Sequence, residues 1–331
     1  MHLRLRNLQK GSKFQVNHMR LMQLILASAF LFAVAAEAVD SSSDEAVASA
    51  VGYLFSCQNQ DGGFGADPES ESDIKDTSLA AIALAAAGEN LSALAVNGTN
   101  PLQYLVSKQE ELDNMSNVEA QVGRYVVALA CGGLDPEDIN GRDYVSILKS
   151  YSLPNGELGK ENYIWDDAWI LMALAACNES GSDEAKGALD HLKGLQTAKG
   201  GWGWNGGAKG EDPDTTGIIL CALISGGENA SSDAVQKALQ YLSSEQNADG
   251  GFSSLGSNAA TDGWAMLAIT AAGQNPADWK VVSADPVQHL LGLQQENGAV
   301  WWKSDSQGMS FEWTANAILA LTGGKIPPVI L

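Results

Sequence analysis

The sequence predicts an all-α ring of twelve helices, six inner and six outer, an α6/α6 toroid. Three observations predict it. A glutamine–glycine–aromatic phrase returns about every 47 residues, a period that marks a stacked array of supersecondary units. Each unit holds two helical segments. The apolar segments at the two ends of the array, 79–87 and 315–321, are as apolar as those in its middle, so the first and last units should cover each other.

The phrase reads Gln58-Asn-Gln-Asp-Gly-Gly-Phe64, Gln196-Thr-Ala-Lys-Gly-Gly-Trp202 and Gln246-Asn-Ala-Asp-Gly-Gly-Phe252. Gln294-Gln-Glu-Asn-Gly298 and Ser152-Leu-Pro-Asn-Gly156 are weaker copies, and Gln109 keeps only the glutamine. The segment before each anchor, such as 44–57 and 232–245, has a polar face and should lie outside. Five residues before the anchor stand Tyr53, Tyr104, His191, Tyr241 and His289, each followed by Leu. The second segment starts with an acid and runs into alanine-rich apolar sequence, as from Asp76 to Gly88 and from Asp214 to Gly226. Apolar nearly all round, it should be buried on both sides. Gly88, Gly132, Gly226, Gly273 and Gly323 read as helix C-caps. Gln should close the outer helix by hydrogen bonding, the paired glycines allow positive φ, and the aromatic ring packs back.

Residues 1–38 read as a signal peptide. Arg4, Arg6, Lys10, Lys13 and Arg20 precede an apolar run over 21–36, and Ala36-Glu37-Ala38 offers a small-x-small cleavage site. The toroid is expected over 39–325, with a short tail over 326–331. The chain has 331 residues, 45% of them hydrophobic, enough for a large core. Its 19 Lys and Arg against 40 Asp and Glu give a net charge of −21, which argues against nucleic-acid partners. Without 1–38, 14 basic and 39 acidic residues remain, a net charge of −25. The expectation is an exported protein, secreted or at the cell surface. Sequons at Asn90, Asn97, Asn114, Asn178 and Asn229 would then be available for glycosylation. The four cysteines read as buried thiols, since adjacent helix axes lie about 8–10 Å apart, beyond a disulfide's span.

The repeat resembles that of the terpene-cyclase and protein-prenyltransferase superfamily over roughly residues 42–325. The resemblance implies the toroid and sets a chemical demand for each branch. Protein prenyltransferases bind zinc through Asp, Cys and His. Here His191 and His289 share a repeat position with tyrosines and no Asp-x-Cys occurs, so no metal or cofactor is expected. Squalene–hopene-type cyclases protonate an alkene with an Asp-x-Asp-Asp motif at an inner-helix start. Asp212-Pro213-Asp214-Thr215-Thr216 comes closest, with Thr215 in place of the last aspartate. The more general reading of Asp214 is a helix N-cap, the place that Asp76, Asp166 and Glu312 take in other units. The toroids of the cobalamin carriers and of thioester complement proteins are similar too, but the first carry a β-domain and the second a Cys-Gly-Glu-Gln that this sequence lacks.

In a closed ring the inner-helix acids Asp76, Glu119, Asp166, Asp167, Asp214, Asp262 and Glu312 should gather at one end beside Trp165, Trp169, Trp264 and Trp313. Such an acidic, aromatic opening suits a cation, a sugar or an amphipathic molecule. Trp202, Trp204, Trp301 and Trp302 either join it or fill turns. The expectation is a monomeric, non-catalytic toroid binding a small or amphipathic ligand or a cell-surface partner. One alternative is a class II terpenoid cyclase with Asp214 as acid and Asp212 as its neighbour. Another is a carbohydrate-active α/α barrel hydrolase pairing Asp167 with Asp262 or Asp214.

Overall fold

The structure, a computed structural model, describes residues 41–115, 118–205, 210–253, 255–323 and 326. The expected signal peptide and most of the tail lie outside them. The described residues from Ser43 onward belong to one compact unit. In chain order the helices are α1 (Ser41–Ser56), α2 (Ile74–Ala86), α3 (Pro101–Ser107), α4 (Gln109–Asp113), α5 (Glu119–Cys131), α6 (Tyr144–Ser150) and α7 (Ile164–Ala176). They continue with α8 (Asp183–Gly194), α9 (Pro213–Ser225), α10 (Asp233–Ser244), α11 (Ala259–Ala271), α12 (Pro286–Leu291) and α13 (Ser310–Leu321). The expected twelve are thirteen among the described residues, because the second outer segment breaks at Lys108 into α3 and α4.

The inner helices are α2, α5, α7, α9, α11 and α13. Each packs on the next in that order, and α13 packs on α2, so the ring closes. Their apolar sequence explains their place: Ala80, Ala81, Ile82, Ala83 and Leu84 are wholly buried, as are Ile218, Ile219, Leu220, Ala222 and Leu223. Glycine sets the closest approaches. A Cβ on Gly123 of α5 would stand 2.8 Å from the Trp169 backbone of α7, and one on Gly217 of α9 would stand 2.7 Å from the Trp264 backbone of α11. Among the described residues the longest helix has 16 residues, and none is long and apolar enough to cross a membrane.

The repeat phrase acts as a staple between units. The Gln196 side-chain amide donates to its own turn at Gly200 O (2.8 Å) and to Ala234 O on the next outer helix (2.8 Å). Gln246 does the same to Gly250 O and Trp279 O, and Gln58 to Gly62 O and Leu94 O. Gln294 carries the device across the seam, reaching Gly298 O (3.2 Å) and Ala46 O (2.8 Å) on α1. The glutamine thus joins successive units as well as closing its own helix. Gln294→Ala leaves the carbonyls of buried Ala46 and Gly298 without that donor and is expected to cost about 1–3 kcal/mol in urea unfolding. A loss below about 0.3 kcal/mol would show that the seam does not depend on it.

The residue after the glycines pins each turn to an inner helix. Thr77 Oγ1 accepts from Phe64 N (2.9 Å), Thr216 Oγ1 from Trp202 N (3.0 Å) and Thr314 Oγ1 from Val300 N (2.8 Å). In the other two pinned turns an aspartate replaces the threonine. Asp167 Oδ1 accepts from Leu158 N (2.7 Å) and Asp262 Oδ1 from Phe252 N (2.8 Å). Phe64, Trp202 and Phe252 are fully buried, so these aromatics fill turns. Three expected C-cap glycines, Gly88, Gly273 and Gly323, take positive φ. At the other two ends Gly133 and Gly227 do so instead of Gly132 and Gly226. The four cysteines are unpaired thiols, three buried and Cys177 half-buried. All five sequon asparagines are exposed.

Candidate functional site

The pinning bonds fix a register that the sequence does not reveal, and it disperses the expected ring of acids. Asp167 and Asp262 hold turn backbones with one carboxylate oxygen and are fully buried, so they do not face the opening. That also removes the carboxylate pair expected for sugar hydrolysis. Asp166 stands one residue earlier and accepts from Ala120 N (3.1 Å) and Lys160 N (3.0 Å), tying the start of α5 to the loop before α7. Glu312 is neutralised by Lys75 at 2.6 Å. Asp76 is buried beside Asp73, Lys75 and Glu312, and burial pushes its carboxyl up to about 6. Glu119 begins α5, with one buried oxygen lacking a partner.

The helix-capping reading falls on Asp212. Its carboxylate accepts from Thr215 N (2.8 Å) and from the Thr215 hydroxyl (3.0 Å), as Asp73 accepts from Asp76 N (2.7 Å) and Asn258 from Thr261 N (3.1 Å). Asp214 is therefore free of that duty. Its side chain hydrogen-bonds Thr261 of α11, while its Oδ1 is buried without a partner. Burial, aided by the charges of Asp212 and Asp262, pushes the Asp214 carboxyl up to about 6.

The tryptophans come together, with one exception. Trp165 and Trp169 of α7 both meet Trp264 of α11 edge-on, with ring centroids 6.0 Å apart in each pair. In the ring α9 separates α7 from α11. The three indoles therefore meet inside it, beside the helix that carries Asp214. Trp169 and Trp264 are buried and Trp165 half-buried. Trp313 turns aside, its indole nitrogen beside the Gly308 turn. Of the turn tryptophans, Trp204 and Trp302 are exposed and Trp301 half-buried.

Three polar residues escaped the sequence reading. The Arg124 guanidinium of α5 lies 4.7 Å from the Trp169 ring centroid, and its Nη1 donates to Gln121 Oε1 (2.7 Å). Arg124 Nε, Gln121 Nε2 and Trp169 Nε1 are buried donors without partners. Burial pulls the Arg124 guanidinium below its ordinary pKa, opposed by the charges of Glu312 and Asp76. Lys75 completes the set across the α2–α13 seam. One signal was available: Arg124 is a cation inside an otherwise apolar inner segment. Among the described residues the inner helices therefore present unmet donors on Arg124, Gln121 and Trp169 and unmet carboxyl oxygens on Asp214 and Glu119, beside a cluster of indoles. Unmet buried donors each cost about 1–3 kcal/mol, so this centre suits a molecule with acceptor oxygens and an apolar body.

A family model described as the prenyltransferase alpha-alpha toroid domain matches residues 6–144 and 143–321. A drimenyl diphosphate synthase of Streptomyces showdoensis is 29% identical over 213 residues, 63% of this chain. The chain spans about a third of that relative, 32% of its length. The type II terpene cyclase MstE from Scytonema, solved in one variant with geranylgeranyl dihydroxybenzoate as substrate, superposes with a TM-score of 0.59 at 17% identity, covering 86% of this chain and 97% of the other. A glycosidase superposes with a TM-score of 0.58 at 13% identity, covering 85% and 96%. At such identities the two structures share the fold alone.

Proposed function

The chain belongs to the prenyltransferase alpha-alpha toroid family, and from that premise we propose that it is a class II terpenoid cyclase acting on an isoprenoid with an oxygen-rich head. One observation carries the reading: half-buried Asp214, whose Oδ1 is buried without a partner and whose carboxyl is pushed up to about 6, stands on the helix beside three clustered indoles. A carboxyl neutral below pH 6 can give its proton to an alkene carbon. The indole faces then stabilise the carbocation, and loss of a proton ends the cyclisation. Arg124, Gln121 and Trp169 supply donors for the head group. The 29% identical relative, a drimenyl diphosphate synthase, and the fold shared with a type II terpene cyclase support the class.

A second reading, a toroid that binds the same ligand without turnover, draws on Asp212. Its carboxylate is committed to capping α9 through Thr215, which leaves less of it to tune Asp214. Product analysis separates the two. Incubation with farnesyl and geranylgeranyl diphosphates is expected to yield a cyclised diphosphate, and Asp214→Asn to lower its formation about 10²–10⁴-fold. The wild-type rate should fall as pH rises through 6, where Asp214 loses its proton. Saturable quenching of tryptophan fluorescence with no product establishes the binder, and Trp264→Ala should then weaken the quenching. Neither product nor quenching sinks both readings. Export with cleavage near Ala38 remains part of the proposal, tested by N-terminal sequencing of the protein recovered outside the cell.

A further inference from the structure

The pinning register exposes a pattern in the repeat. Each inner-helix pinning residue has a counterpart five residues before the next anchor. The pairs are Thr77 with Tyr104, Thr216 with Tyr241, and, through ring closure, Thr314 with Tyr53. Where the inner residue is aspartate, the outer one is histidine: Asp167 with His191, Asp262 with His289. In the second of these pairs the side chains bond directly. Asp262 Oδ2 lies 2.5 Å from His289 Nδ1, and Asp249 Oδ2 stands 3.7 Å from Nε2.

The first pair is built differently. Asp167 Oδ2 and His191 Nε2 are both buried and have no hydrogen-bond partner. A third group joins them. The turn position held by Gly63, Gly201, Gly251 and Ala299 in sister units is here Glu157. A Cβ on Gly251 would already stand 2.6 Å from His289 Nδ1, so a longer side chain at this position is driven toward the outer-helix histidine. Glu157 is only 3% exposed and Asp167 is fully buried. One ligand atom from each of Glu157, Asp167 and His191 lies within 4.8 Å of the other two.

We propose that Glu157, Asp167 and His191 hold a divalent transition-metal ion, Zn²⁺ by their donor set, which clamps α7 to the turn before it and to α8. Two carboxylates buried side by side repel each other when both are ionised, and neither offsets the other's charge. A dication does. One nitrogen and two carboxylate oxygens form a zinc set with bonds of about 2.0–2.2 Å, reached from the present spacing by small side-chain rotations. Supporting contacts are in place. Glu157 accepts from Asn162 N and from Asn155 Nδ2 (3.1 Å), and Asp167 Oδ1 is held by Leu158 N, which orients the carboxylates and leaves Asp167 Oδ2 open. This clamp sits between repeats, and its ligands differ from those of the candidate cyclisation site.

The test uses the full chain, dialysed against a chelator and titrated with Zn²⁺ by calorimetry and thermal unfolding. One equivalent is expected to bind and to raise Tm. Co²⁺ in its place should give visible d–d absorption of a low-symmetry nitrogen–oxygen site. Glu157→Gly, which restores the sister-turn residue, should weaken Zn²⁺ binding at least 100-fold. So should the double variant Asp167→Thr with His191→Tyr, which writes in the Thr–Tyr pair of the other units. Asp262→Thr with His289→Tyr should leave binding intact. Absence of stoichiometric binding and of the Co²⁺ spectrum in wild type overturns the proposal. Unchanged binding in either of the first two variants, or its loss in the control, overturns it as well. The wild-type measurements decide the matter even if a variant fails to fold.

Discussion

Gly298→Ala is expected to strain the ring at its seam and to cost about 3–5 kcal/mol. Gly298 has φ 86°, where an alanine alone loses about 1–2 kcal/mol. Its added Cβ would also stand 2.0 Å from the Ser49 carbonyl oxygen of α1, a contact that forces α1 away from the turn. The turn glycines of other units press on the following outer layer in the same way. Gly200 faces Lys237 O at 2.4 Å and Gly250 faces Asp285 O at 2.6 Å. Gly298 alone does this between the two ends of the chain, so its substitution reports on closure. Gly98→Ala is the matched control. Gly98 has φ 85° and nothing within 4 Å of an added Cβ, so only the conformational part is lost. Thermal unfolding should place Gly298→Ala on the order of 10 °C below wild type, and Gly98→Ala only a few degrees below. Equal effects at the two sites would refute a tight seam.

Stability is expected to peak on the acid side, near pH 4–5, and to fall toward pH 8. Asp76, Asp166 and Asp214 are each raised to about 6, burial being the largest cause in every case. In the unfolded chain an aspartate titrates near 3.9. Between these values the folded state holds more protons than the unfolded one, so stability decreases as pH rises. A rise of about two pH units corresponds to about 2–3 kcal/mol per group, complete once pH passes 6. His289 acts in the same direction. Burial opposes its charge, but the hydrogen bond and charge of Asp262 outweigh this and raise its pKa, so its contribution also fades with rising pH. The excess of 40 acidic over 19 basic residues adds repulsion above the pI near 4.4. Exposed Asp143 and Asp67, held low by hydrogen bonds, act oppositely and only below about pH 4. A Tm that climbs steadily from pH 4.5 to 8 would contradict the burial assigned to these carboxyls. Asp76→Asn and Asp214→Asn should each flatten the slope.

Period, helix type and closure were legible because they rest on local chemistry repeated six times. Gln58, Gln196, Gln246 and Gln294 recur because one amide bridges the same two carbonyls in each unit. The apolar inner segments and alanine-rich ends announce burial on both faces. The functional centre was legible only in part. The indoles Trp165, Trp169 and Trp264 cluster beside the helix that carries Asp214, whereas Asp167 and Asp262, which also lie in the first turn of an inner helix, hold turn backbones. A helix turns about 100° per residue, so a shift of one or two positions along an inner helix sends a carboxylate to the turn behind instead of the centre. Arg124 and Lys75 were passed over because their partners, Trp169 and Glu312, lie on other helices.

The sequence by itself determined a ring of hairpins, since composition and spacing govern which faces must be buried and how units join. Tertiary structure alone decided which polar atoms remain unmatched inside it: Asp214 Oδ1 and the Arg124 and Gln121 nitrogens at the centre, Asp167 Oδ2 and His191 Nε2 between repeats. The physical reason is that hydrogen bonding is a pairwise account settled across helices distant in the chain. A carboxylate that caps a helix and one with an oxygen left unmatched can be written with the same letter two residues apart, as Asp212 and Asp214 are.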